Sequence, residues 1–324
     1  MAGQMKKILV IGATGQIGSE LVSHLREDYG ENSVIGTYNN TEPSGDLLDG
    51  PMEKLDVLNA GRIGEVVDKY EVDSVFHLAA ILSAKGESNP QLAFKVNVMG
   101  TFNVLEVGRK QQLNRIVIPS SIGVFGPEVP REKAPNETVL RPTSMYGVTK
   151  VTGELLGNYY FNKYGLDVRG ARFPGIISYK TLPGGGTTDY AVEAFYKAIE
   201  DRHYSFFVRE DTRLPLMYMP DCTRALIELA QADLEDLNYH ADYNVSSLSF
   251  SARDLAETIR KRIPEFSFDF QPDERQEIAD SWPNSMDDTP ARKDWGWQPR
   301  FGLAEMTDDM IDKLKEKLDE HERK

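Results

Sequence analysis

Cysteine is almost missing from this chain: Cys222 is the one thiol in 324 residues. A lone cysteine excludes an internal disulfide and a cysteine-rich zinc site. Histidine is scarce too, with His24, His77, His203, His240 and His321 scattered along the sequence, so metal-free chemistry is expected. Bases are outnumbered, 37 Lys and Arg against 51 Asp and Glu, for a net charge of -14. No Lys/Arg-rich block interrupts that balance, so a phosphate backbone is repelled on average and nucleic acid is not an expected partner. Long apolar runs are also lacking. The longest, Val75 to Leu82, is broken by His77 and falls far short of the roughly 20 residues of a membrane helix. Lys6 and Lys7 precede only Ile8 to Ile11 before a glycine, which is no signal-peptide core. The expectation is a cytoplasmic chain in a reducing compartment, with no membrane partner.

What is present is ordinary globular composition, 40% apolar and 27% charged, in a chain long enough for a large α/β core and a smaller appended lobe. Apolar runs alternate with helix-period segments through the first half, the pattern of βαβ units in a doubly wound parallel sheet. Strands are expected at Lys7 to Gly12, Ser33 to Thr37, Ser74 to Leu78, Arg115 to Pro119 and Asp167 to Arg172. Helices are expected at Gln16 to Tyr29, Asn59 to Tyr70, Asn89 to Gln112 and Ser144 to Tyr164. The alternation loosens after Arg172, and Pro183-Gly184-Gly185-Gly186 reads as a flexible connection. Later helices are expected at Asp189 to Glu200, Pro220 to Ala232, Ser251 to Arg262 and from Glu305, the last with a solvated charged face. The division expected is a first domain over 1–172, completed by part of 213–247, and a C-terminal lobe formed by 173–212 and 248–324.

Gly12, Gly15 and Gly18 stand directly after the first strand and open the first helix. In that position backbone N–H groups and the helix N-terminus favour a pyrophosphate, so the first domain reads as a Rossmann NAD-binding unit and the lobe as its substrate-binding partner. The acid that usually holds the adenosine ribose at the end of the second strand is missing from Tyr38-Asn39-Asn40-Thr41, yet no Lys or Arg lies between Arg26 and Lys54 to pair with a 2′-phosphate. NAD is therefore favoured over NADP by default. Asp56 can accept from the adenine amine or serve as a turn residue. Ala79 and Ala80 are small enough to let a cofactor lie against the strand end.

Tyr146 and Lys150 sit four apart, one helical turn on the same face, where the ammonium favours the phenolate and lets the tyrosine act as a base. About one such pair is expected by chance in this composition, and a second exists at Tyr159 and Lys163. Thirteen residues separate the two tyrosines, roughly 20 Å along a helix, so both cannot face one pocket. Ser121 selects the first pair: it follows a strand at the carboxyl edge of the sheet, beside the start of the helix carrying Tyr146.

These residues resemble the extended short-chain dehydrogenase/reductase superfamily over about the first 250 residues. Pro119-Ser-Ser-Ile-Gly-Val-Phe-Gly126, Arg172-Phe-Pro-Gly-Ile-Ile-Ser178, Gly184-Gly-Gly-Thr-Thr-Asp-Tyr190, Leu216-Met-Tyr-Met219 and Ile278-Ala-Asp-Ser-Trp-Pro283 resemble more narrowly the short-chain, epimerase-like L-threonine 3-dehydrogenases. The resemblance implies oxidation of the threonine 3-hydroxyl by NAD⁺, with Tyr146 taking the proton, Ser121 holding the same oxygen and Lys150 binding the nicotinamide ribose. It also implies cofactor contacts from Gln16, Ile17, Val57 and Leu78, support of the lysine by Asn97, and a nicotinamide cap from Pro174, Gly175 and Ile176. Ser83, Thr187 and Asp189 match positions at the amino-acid end, and hydroxyls with a carboxylate suit a zwitterion. Asp189 equally suits a helix start. A homodimer through the helices following the Ser74 and Arg115 strands is implied as well.

Other residues read plainly. His77 is expected to be a satisfied core group and Cys222 structural. Met217 and Met219 line the pocket or pack the lobe, and Trp282 is a lid residue or a core anchor. Two rival functions remain: a UDP-sugar epimerase or dehydratase on the same fold, and a non-catalytic NAD sensor. Ser121 is followed by Ile122 and Gly123 and not by the Asp-Glu expected beside a dehydratase hydroxyl, and a sensor has no use for a poised Ser-Tyr-Lys set.

Overall fold

A computed structural model describes residues 5–180, 184 and 186–322, the last three by their backbone alone. Pro183 and Gly185 of the expected connection, and the His321 side chain, lie outside the described residues. The first strand, β1 (Ile8–Ile11), is four consecutive apolar residues, all buried; such unbroken runs belong to parallel strands covered on both faces. It is joined by β2 (Val34–Tyr38), β3 (Met52–Lys54), β4 (Ser74–His77), β5 (Arg115–Val117) and, after the short β6 (Ser120–Ser121), β7 (Val168–Arg169). The six-stranded sheet runs β3-β2-β1-β4-β5-β7, parallel throughout. The order reverses between β1 and β4, which opens the crevice at the carboxyl edge where ligands of such sheets bind.

Helices α1 (Gln16–Tyr29), α2 (Ala60–Tyr70), α3 (Ser83–Ser88), α4 (Pro90–Phe94), α5 (Gly100–Lys110) and α6 (Met145–Tyr164) connect these strands. Ile63, Val66, Val104, Leu105 and Tyr160 from α2, α5 and α6 bury one face of the sheet. Leu21, Val22 and Leu25 of α1 bury the other, together with Leu226 and Leu229 of a later helix. The departures from the sequence expectation that bear most on the site are these. Strand β3 was not anticipated, because three half-exposed edge residues carry no periodic signal. The segment expected as one helix, Asn89 to Gln112, contains a π turn at Lys95–Met99 between α4 and α5. The strand expected at Asp167 to Arg172 is two: at Gly170, whose N–H donates to His240 O, the chain leaves the main sheet and β8 (Ala171–Phe173) pairs with β6 instead.

The remainder comprises β9 (Gly175–Ile177), α7 (Tyr190–Glu200), β10 (His203–Phe206), β11 (Arg213–Tyr218), α8 (Met219–Gln231), β12 (Tyr243–Asn244), β13 (Leu248–Ser251) and β14 (Ser267–Phe270), with helices at Ala252–Arg262, Arg275–Ser281, Thr289–Trp295 and Leu303–Glu322. Helix α8 packs on α1, and β12 pairs with β8, so this later segment completes the sheet-covering layer. A separate apolar cluster of Tyr190, Phe195, Phe206, Leu216, Phe250 and Trp282 forms the core beyond the crevice. Among the described residues, no helix is long and apolar enough to cross a membrane.

Candidate active site

A cleft of about 1160 Å³ lies over the carboxyl edge between the sheet and the second core. One end is the glycine turn. Gly12 adopts φ +88°, and a Cβ on Gly18 would strike the Gly12 carbonyl and lie 2.9 Å from Ala13 Cα, so this tight strand-to-helix turn excludes side chains. Gly15 caps α1, and no described side chain caps its first turn, which contains no acid. Those unsatisfied N–H groups and the helix dipole face the cleft, a donor set that fits a pyrophosphate. Gln16, Ile17, Leu78 and Ala80 line the same end, and Pro174, Gly175 and Ile176 line the wall opposite.

Ser121, Tyr146 and Lys150 all border this cleft. Ser144 starts α6 by accepting from Gly147 N at 3.1 Å, and Glu87 of α3 accepts from Met145 N at 2.6 Å. Tyr146 is thereby held in the first turn. Lys150 stands one turn on, its Nζ 5.6 Å from the Tyr146 ring centre and donating to Pro119 O at 2.7 Å. The Ser121 hydroxyl accepts from Gly123 N at 3.1 Å, leaving its own proton to donate. Serine and tyrosine share Gly123 as a neighbour: a carbon on that glycine would lie 3.1 Å from the Tyr146 ring and 3.5 Å from Ser121 Oγ. A hydroxyl donor, a phenol and an ammonium thus border one volume, the set that proton abstraction from an alcohol requires. Tyr159 is half exposed among Tyr160 and Tyr164, outside the cleft.

Ser83, Thr187, Asp189 and Trp282 border the cleft as well. Ser83 begins α3 and Thr187 is buried. Asp189 occupies the N-cap position of α7, accepts from Gly186 N at 2.5 Å in the turn before the helix, and borders the cleft. Trp282 packs in the second core, as a core anchor would, and also borders the cleft. Met217 and Met219 are buried beneath the sheet instead. Leu82, Ile122, Phe173 and Thr188 also border the cleft. Of these, Ile122, Phe173 and Thr188 lie inside the motifs quoted from the sequence, whereas Leu82 carried no signal there.

Five expected cofactor residues lie outside the cleft proper. Asp56 accepts from Leu58 N at 2.9 Å, a turn contact. Val57 is buried under α5, and Ala79 and Asn97 line a smaller chamber behind the cleft. Tyr38 ends β2 at the cofactor side without reaching the cleft. The sequence around it holds no base, but the fold brings Lys180 to a shallow pocket shared with Thr14, Thr41, Ser44 and Glu42.

Behind Ser121 lies a buried polar network. Ser120 Oγ donates to Glu154 Oε1 at 2.5 Å, and Arg172 grips both Glu154 oxygens at 2.8 and 2.9 Å while donating to Asn136 O. Burial pushes the Glu154 carboxyl up, against the pull of Arg172 and Ser120. His77 is fully buried, its Nε2 3.2 Å from Thr101 Oγ1. The expectation of a satisfied core histidine is met only in part, because Nδ1 has no hydrogen-bond partner. Among the described residues, no cluster of His, Cys, Asp and Glu is placed to hold a metal ion.

The model of the NAD dependent epimerase/dehydratase family matches residues 8–246. A Staphylococcus saprophyticus protein described as an uncharacterized epimerase/dehydratase is 46% identical over 315 residues, 97% of this chain and 98% of its own. Among solved structures, the L-threonine dehydrogenase of Clostridium difficile superposes with a TM-score of 0.95 at 44% identity, covering 97% of this chain and 99% of that one. A monomeric L-threonine 3-dehydrogenase from a metagenome superposes with a TM-score of 0.91 at 47% identity, covering 95% and 99%.

Proposed function

Because this chain belongs to the NAD-dependent epimerase/dehydratase family, with NAD as its cofactor, we propose that it is an L-threonine 3-dehydrogenase converting threonine to 2-amino-3-oxobutyrate. The observation that carries this reading is one cleft bordered together by the glycine turn, by Ser121, Tyr146 and Lys150, and by Ser83, Thr187 and Asp189. Its supports are the similar structures described as threonine dehydrogenases. Tyr146 removes the proton of the substrate 3-hydroxyl, and Ser121 donates to the same oxygen and orients it. Lys150, anchored on Pro119 O, keeps a positive charge beside the phenol and reaches the cofactor ribose. Hydroxyls at Ser83 and Thr187 serve the carboxylate and the Asp189 carboxylate serves the ammonium, which selects an amino acid over a plain alcohol. Bound NAD⁺ supplies the acceptor for the hydride leaving C3. The test is to offer NAD⁺ with threonine, serine, 3-hydroxybutyrate or UDP-glucose and follow NADH absorbance. Threonine should release NADH freely; turnover of UDP-glucose without net NADH would give the site to an epimerase, and no turnover of any of them would leave a sensor.

Substitution at the amino-acid end should separate substrate from cofactor. Thr187→Ala and Asp189→Ala should each lower kcat/KM for threonine by about tenfold or more, since a charged group left unpaired in a closed site costs about 1–3 kcal/mol. NAD⁺ affinity, read by titration calorimetry, should stay unchanged. Unaltered threonine kinetics would remove both residues from the substrate site.

Cofactor discrimination should be modest, because Tyr38 stands where the usual acid ends the second strand and the adjoining pocket holds Lys180 as well as Glu42 and Asp46. Tyr38→Asp should sharpen it, mainly by weakening NADP⁺. A ratio of NAD⁺ to NADP⁺ affinity unmoved by this change would show that the ribose is held elsewhere.

The assembly we propose is a homodimer. Phe94, Met99 and Phe102 around α5, with Val148, Leu155 and Tyr159 on α6, are exposed on adjacent helices, and apolar exposure on that scale marks an interface. Sedimentation should give a dimer that Phe102→Glu with Leu155→Glu dissociates; a wild-type monomer, as one similar structure is described, would refute it.

A further inference from the structure

Adjoining the cleft is a small chamber lined by His77, Asn97, Thr101, Thr149, Lys150 and Glu154. It is roomy enough for one ordered water, and its otherwise largely apolar lining carries the polar groups a water needs. Lys150 borders both spaces. The hydrogen bonds around the chamber determine what its unpaired atom can accept. The Thr101 hydroxyl donates to Asn97 O at 2.6 Å, so toward His77 it can only accept. His77 must therefore carry its proton on Nε2 and present a bare lone pair at Nδ1, the atom with no partner. The other side-chain donors nearby are committed. Asn97 Nδ2 gives to Ile81 O and to Thr149 Oγ1, both at 3.0 Å; Thr149 gives to Tyr146 O, and Ser120 gives to Glu154. Only Lys150 has donors left, since one of its three N–H bonds goes to Pro119 O, and no direct contact joins it to His77.

We propose that the chamber holds a water molecule that donates to His77 Nδ1 and accepts from the Lys150 ammonium, which makes His77 a positioning residue for the Tyr146-Lys150 pair. The inference rests on the assignment of those two residues as base and cation. Lys150 then spends one N–H on Pro119 O and one on the water, and the third faces the cleft. A solvated ammonium keeps its charge and its direction, and both favour the phenolate. Burial first, and the nearby lysine charge second, hold the His77 pKa down at about 3, so the ring is a neutral acceptor near neutral pH. The charged and titratable groups around Lys150 are Tyr146 and Glu154 on its own helix, His77 from β4, and Arg172 of β8 bound to Glu154.

Two isosteric substitutions split the ring's contacts. His77→Asn places an amide oxygen where Nδ1 lies and cannot reach Thr101, while His77→Gln reaches Thr101 and offers nothing at Nδ1. The acid limb of kcat/KM should move to higher pH by about one unit in His77→Gln, the size of one hydrogen bond lost from a charged group. It should stay in place in His77→Asn. The reverse pattern would show that the ring serves Thr101, and an equal loss in both at all pH values, without movement of the limb, would show a packing role only; either overturns the proposal. Two readouts on the wild type need no turnover: ¹⁵N spectra should show His77 as the Nε2–H tautomer, and a high-resolution crystal structure should show the water. The opposite tautomer or a dry chamber would refute the inference even where the assigned base stands, whereas an active Tyr146→Phe would break that assignment instead.

Discussion

Tyr146→Phe should lower threonine turnover by about 10² to 10⁴-fold, the range for removing a group that transfers the reacting proton. The protein should still bind NAD⁺ with little change. The ring remains in place, with Lys150 anchored to Pro119 O and the glycine turn untouched. Under the proposed reading, the substitution deletes the one oxygen that would meet the substrate hydroxyl beside Ser121. A mutation of this type lowers kcat and kcat/KM together, because the interaction is made in the transition state and hardly at all in ground-state binding. Tyr159→Phe is the matched control. It removes the same atom from the same helix, but from a half-exposed ring packed on Tyr160 and Tyr164, and it should change the rate little. NADH binding by fluorescence, with steady-state rates for both variants, is the required measurement. Equal damage from the two substitutions would mean that the base is not Tyr146.

Arg172→Met should destabilise the fold by about 3–5 kcal/mol, as expected when one partner of a buried ion pair is removed and the other is left uncompensated. Both members are nearly fully buried, with side-chain exposures of 3% for Arg172 and 4% for Glu154. The arginine also donates to Asn136 O and Asn244 Oδ1, so its loss opens the junction of β8, α6 and the segment before it. Ser120 hangs from the same carboxylate and precedes Ser121, so activity should fall even in protein that remains folded. The double variant Arg172→Met, Glu154→Gln removes the orphaned charge and should recover much of the stability. Urea unfolding of the three proteins tests this. A loss under about 1 kcal/mol in the single variant would show that water or a neighbour compensates Glu154.

The glycine turn and the Ser121, Tyr146 and Lys150 set were legible in the linear chain because each depends on short-range geometry. A glycine triplet following an apolar run can only be a tight strand-to-helix turn, and residues four apart on a helix share a face. Helix α1 falls at Gln16–Tyr29 as expected for the same reason: its periodicity is local. The π turn at Lys95–Met99 was not legible. It exists because Asn97 is drawn inward to bond Ile81 and Thr149, and those partners come from elsewhere in the sequence. Likewise nothing near Tyr38 announces Lys180, which reaches that side only through the fold.

By itself, then, the sequence anticipated the doubly wound fold, the tight glycine turn and the meeting of Ser121, Tyr146 and Lys150 at one cleft, since these follow from periodicity and spacing along one or two elements. Only the tertiary structure decided that Glu154 and Arg172 neutralise each other behind Ser121, that Trp282 is core and cleft wall at once, and that His77 is left with a bare nitrogen beside Lys150. The physical reason is common to all three. The cost or gain of burying a polar group depends on which distant atoms are left to satisfy it, and that accounting closes only when the chain has folded.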